Sequence, residues 1–92
     1  MKKRQMNEEK KNIQIGELLF ETNDLGLATY LRLEGMEIKK TTKIRGRTIF
    51  CFLDKENRKK LVQDYFGGKA RVDPLLYKNM LRDLKVFTIN NG

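Results

Sequence analysis

Five consecutive apolar residues, Ile49-Phe50-Cys51-Phe52-Leu53, sit in the middle of the chain. Their β-branched and aromatic types, entered through Thr48, predict a strand. Side chains of a strand alternate between two faces, so a strand apolar at every position leaves no face for water. Either helices lie on both sides of the sheet, or a second subunit covers one side. With 92 residues, the chain has room for one domain. A domain of this size buries roughly 60–65% of its unfolded surface. A homodimer is therefore expected, since it would supply the missing cover.

The neighbouring elements follow from local signals. Residues 17–21 predict a short strand. Thr22, Asn23 and Asp24 are N-cap types, because a short side-chain oxygen accepts from the orphan amides of a first turn. Leu25, Leu27, Ala28 and Leu31 then keep a helical spacing, and Gly35 supplies the left-handed residue that stops it. The first helix is expected over 24–34. Residues 36–43 are β-compatible, and Arg45-Gly46 predicts a hairpin turn into the apolar strand. Asp54 is expected to cap a second helix over 55–66, with Leu61, Val62, Tyr65 and Phe66 inward and Gly67-Gly68 ending it. Asp73-Pro74 is the clearest start signal: a capping acid, then a proline whose missing N–H costs nothing at the first helical position. The third helix is expected from Pro74 to about Leu84. Leu76 or Tyr77, with Met80, Leu81 and Leu84, forms its apolar face. Val86-Phe87-Thr88-Ile89 reads equally as a last strand or a helical turn.

The fold class is thus α+β, a small antiparallel sheet with two to three helices in the order β-α-β-β-α-α. Residues 1–12 carry five positive and two negative charges and almost no apolar residues, and predict a flexible basic arm. Residues 13–92 form the single domain.

Charge is distributed unevenly. Residues 38–60 hold nine cations and two acids, a net of +7, in a chain whose net charge is +8. Residues 13–37 hold five acids and one arginine. At ~10 Å spacing in water each like-charged pair costs about 0.4 kcal/mol before screening. An anionic partner relieves that repulsion, and nucleic acid is the obvious polyanion, since neutralised phosphates release condensed counterions. The candidate phosphate contacts are Lys39, Lys40, Lys43, Arg45 and Arg47 on the hairpin. Arg58, Lys59 and Lys60 join them at the start of the second helix. The last three stand near the positive end of a helix dipole, where cations do not help the helix. The competing reading is a solvated surface, with edge-strand lysines blocking edge-to-edge pairing. An acidic host or viral protein is the alternative partner for the same basic ribbon.

Two hairpin registers are open. A two-residue loop at Arg45-Gly46 sets Thr41 opposite Phe50 and Lys39 opposite Phe52, placing rings among cations as in a stacking platform. A three-residue loop puts Met36 and Ile38 on the face of Phe50 and Phe52, a packed core. Aromatics at strand parity favour the core.

Catalysis is not expected. Histidine is absent and Cys51 is the sole cysteine, which removes disulfides, cysteine-based zinc sites and the commonest general base. Cys51 inside an apolar run reads as a small packing residue. Acid-x-Lys triplets at Glu8, Glu9, Glu37 and Asp83 are about as frequent as composition predicts and carry no nuclease signal. No metal or cofactor is expected. No apolar run approaches the ~18 residues a membrane span requires, and the charged start argues against a secretory signal.

Several pieces resemble a family of small uncharacterised domains of bacteriophages and mobile elements. They are Phe20-x-Thr22-x-Asp24-Leu25-x-Leu27-Ala28-x-Tyr30-Leu31, Gly35, Phe50-Cys51-Phe52, and Val72-Asp73-Pro74 leading to Leu81-Arg82-x-Leu84-Lys85. The resemblance spans residues 20–87. It implies a phage-type origin and a cytoplasmic protein, in the host cytoplasm if viral. It carries over no activity and no binding residue.

Overall fold

The computed structural model describes residues 18–90. The elements are β1 (Leu19–Thr22), α1 (Leu25–Leu33), β2 (Ile38–Ile44), β3 (Arg47–Leu53), α2 (Arg58–Phe66) and α3 (Pro74–Asn90). This is the expected α+β order. The predicted arm at 1–12 lies outside the described residues. The strands form one antiparallel sheet, β1-β3-β2, with the apolar strand in the centre.

Local chemistry sets most boundaries. The Asp24 carboxylate accepts from the Leu27 amide at 2.9 Å and caps α1. At its other end the Met36 amide donates to Leu31 O and the Gly35 amide to Arg32 O, with Gly35 at φ +94°. That pair of bonds is the Schellman arrangement, and it folds Met36 back into the core. Asp73 Oδ1 accepts from the Leu75 and Leu76 amides and caps α3 behind Pro74, as expected.

The core lies between one face of the sheet and the helices. Phe50 and Phe52 pack with Leu27, Ala28, Leu31, Met36, Leu61 and Leu84. The hairpin combines features of both open registers. The turn is the two-residue Arg45-Gly46, and Thr41 pairs with Phe50. A bulge between Ile38 and Lys40 then substitutes Ile38 for Lys39 opposite Phe52. One extra residue restores the apolar parity that the turn alone would have broken. Phe50 and Phe52 are therefore core residues, not a platform.

Other expectations are corrected. Helices cover only one face of β3. On the other face Cys51 is still 1% exposed. Its register partners are Glu21 on β1 and Lys40 on β2, and its thiol donates to Glu21 Oε2 at 3.5 Å. Among the described residues Glu21 and Lys40 border it there, so of the two covers expected for β3 the second helical layer is absent from that face. Asp54 does not cap α2, which starts at Arg58 behind Asn57. Its carboxylate is held by the Arg58 guanidinium at 3.1 and 3.2 Å and by the Lys55 amide at 2.9 Å. Phe66 is 65% exposed and Leu76 also faces solvent, while Tyr65 and Tyr77 pack inward. Residues 86–89 are helical. Lys43 Nζ donates to Thr88 O at 3.1 Å, and Thr88 Oγ1 donates to Lys85 O. These contacts override a strand propensity that is only a weak prior.

Candidate nucleic-acid interface

The eight candidate cations separate into groups. Arg47 and Leu53 mark the ends of β3, six residues or about 20 Å apart. Arg45 and Arg47 occupy the hairpin tip. Lys39 and Lys40 stand at the bulge on the β2 edge. Arg58, Lys59 and Lys60 belong to the opposite end, where the Arg58 guanidinium lies 4.4 Å from the centre of the Phe20 ring, and Phe20 pairs with Phe52.

Several of these charges are already used within the fold. Arg58 pairs with Asp54 and Lys60 with Asp64 at 2.9 Å. The Arg58 guanidinium beside Asp54 holds that carboxyl below its ordinary value, more than burial raises it. Lys60 is raised by the hydrogen bond it donates to the Asp64 carboxylate. Lys43 spans from Thr48 Oγ1 to Thr88 O, both at 3.1 Å, and ties the hairpin to α3. Lys39 reaches Glu37 at 3.8 Å.

Lys40, Arg45 and Arg47 remain exposed on the hairpin. None of the three is paired with an acid among the described residues. The pairings Lys40–Cys51 and Ile44–Arg47 have the same parity, so Lys40 and Arg47 share the face that carries no helix. Arg45 adopts φ +51° at the tip. Two-residue turns of this hand prefer Asn, Asp or Gly there, so arginine stands against local preference.

Two further features were not anticipated from sequence, and the first adjoins this surface. A groove of about 480 Å³ lies between β2 and α3, with Arg32, Lys39, Lys40 and Asp83 around Met80 and Phe87. Arg32 comes from the last turn of α1. No local pattern joins these residues, which lie on three elements.

At the other end, Tyr30, Tyr65 and Tyr77 line a smaller cavity of about 240 Å³ with Ala70 and Val72. Tyr30 and Tyr65 stack at 5.8 Å between ring centres. Tyr77 donates to Gly26 O at 3.2 Å. Burial first, and then the Tyr77 hydroxyl beside it, pushes Tyr65 up to about 12. The Tyr65 hydroxyl stays protonated at neutral pH. Burial, reinforced by the bond to Glu21, likewise pushes the Cys51 thiol up, away from the reactive thiolate. No group of three or more His, Cys, Asp or Glu among the described residues is placed to hold a metal. No helix among them is long and apolar enough to cross a membrane.

A family model described as Domain of unknown function (DUF5659) matches residues 17–89, most of the chain. No curated protein and no solved structure matches it.

Proposed function

We propose that this chain, which belongs to the DUF5659 family, is a nucleic-acid-binding accessory protein that contacts phosphates through the tip and outer face of the β2–β3 hairpin. The observation that carries this reading is the trio Lys40, Arg45 and Arg47. All three are exposed, none is paired with an acid among the described residues, and Arg45 occupies a backbone position better suited to another residue type. Local conflicts of this kind collect at functional positions. Arg58, Lys60 and Lys43, whose charges serve internal contacts, are secondary. Binding is mainly electrostatic, with little sequence readout. A role in a phage or mobile element, in the host cytoplasm, belongs to the same proposal.

Fluorescence anisotropy with labelled oligonucleotides between 50 and 200 mM salt tests it. Three phosphate contacts correspond to a slope of about −2 to −3 in log K against log salt. The triple variant Lys40→Glu, Arg45→Glu, Arg47→Glu should abolish most of that slope. Affinity that ignores salt and these changes overturns the reading. A pull-down that survives nuclease digestion would favour the acidic protein partner instead.

A further inference from the structure

We propose that the groove between β2 and α3 is a single-stranded nucleotide site, in which a base stacks on Phe87 and the adjoining phosphate lies against Arg32 at the mouth of the groove, where Lys40 borders it on the edge of β2. This rests on the nucleic-acid reading above and adds the class of strand that is bound. At about 480 Å³ the groove is within the range of sites that enclose small organic ligands and is large enough for one nucleotide.

Its chemistry has the two halves a nucleotide requires. Phe87 is 39% exposed and Met80 is half-buried beside it, which provides an apolar floor with an accessible ring. Arg32 from α1 and Lys40 from β2 bring positive charge to the same cavity, with Lys39 between Lys40 and its ion pair to Glu37. Asp83 is the lone acid of the lining. A carboxylate there accepts from a base N–H, the N3–H of thymine or the exocyclic amine of the other bases, and does not cancel the positive excess.

The shape selects the strand. Phe87 forms part of a concave wall, and a base reaches it only when splayed out of a stack. Duplex bases remain paired and would present the groove with backbone alone. Lys40 is common to the groove and the hairpin surface. Five residues further along, about 17 Å at strand rise, stands Arg45. A single strand anchored by one base can thus continue over the hairpin to its tip.

The test uses the full chain, labelled dT20 and a 20-base-pair duplex at 50 and 200 mM salt. The expected result is tighter binding of dT20 than of duplex. Phe87→Leu should weaken dT20 about tenfold, in line with the loss of one stacked base, without altering the duplex or the salt slope. The chain has no tryptophan, so Phe87→Trp adds a unique fluorophore that dT20 should quench. It also reports directly if Phe87→Leu folds poorly. Equal affinity for both nucleic acids, with Phe87→Leu silent and Phe87→Trp unquenched, overturns the groove and leaves the phosphate reading standing. Absence of binding to either at 50 mM salt removes both.

Discussion

Gly26 leaves open the space that the Tyr65 hydroxyl occupies: a methyl group on Gly26 would overlap that oxygen. The glycine lies in the first turn of α1 and the tyrosine near the end of α2, so the pair fixes how closely the two helices approach. Gly26→Ala should destabilise the protein by about 1–3 kcal/mol, the usual range for overpacking, despite alanine's better helix propensity. Tyr65→Phe removes the clashing atom, and in the Gly26→Ala background it should recover part of the loss. Urea denaturation of the four proteins gives the coupling. Simple additivity would show that the clash is relieved elsewhere.

Tyr65 also makes alkaline stability predictable. Its phenol titrates at about 12 in the fold, against an ordinary value of 10.0. The raised value means that the fold favours the neutral form. Its contribution is complete below pH 10 and is lost as pH rises from 10 toward 12. Melting temperature should therefore fall steeply across that window, with delayed phenolate absorbance. Tyr65→Phe should flatten the fall.

Asp54 governs the acid side. Its folded pKa lies below the ordinary 3.8 because the Arg58 guanidinium binds it. The stabilisation is present above the ordinary value and disappears as pH falls through the depressed one. Asp54→Asn should cost about 1–2 kcal/mol at pH 7, the range of a charge-assisted bond, and almost nothing at pH 2. Parallel denaturant titrations at the two pH values measure this. An equal cost at both would assign the effect to packing over Phe20.

Lys43 separates structural from binding cations. Its ammonium is committed to Thr48 and Thr88. Lys43→Met should speed amide exchange in the last turn of α3 and lower stability by about 1 kcal/mol, with the salt slope of oligonucleotide binding unchanged. Arg47→Met should do the reverse. A Lys43→Met slope as shallow as that of Arg47→Met would return Lys43 to the binding surface.

The elements that were legible in sequence are those governed by neighbours a few residues away. Asp24, Gly35, Gly46 and Asp73-Pro74 act on the adjacent backbone, and each does what its type predicts. Residues that answer to distant partners were not legible. Asp54 is the local exception: its type predicts a cap, and the Arg58 guanidinium four residues on competes successfully for its carboxylate. Residues 86–89 looked ambiguous because Lys43, 45 positions from Thr88, tips them toward helix. The cations were visible as a cluster in sequence, but not their division between the two ends of β3. Arg32, Met80 and Phe87 carried no signal, since only the packing of α1, β2 and α3 makes them neighbours.

The bulge at Lys39 gives the hairpin two independent halves. Removing Lys39 would join Ile38 directly to Lys40 and still leave isoleucine facing Phe52, so the sheet can lose that residue without turning any other side chain over. Chain length at this point is free to vary while the interior stays as it is, and what varies is the number of positive groups bordering the cleft beside α3.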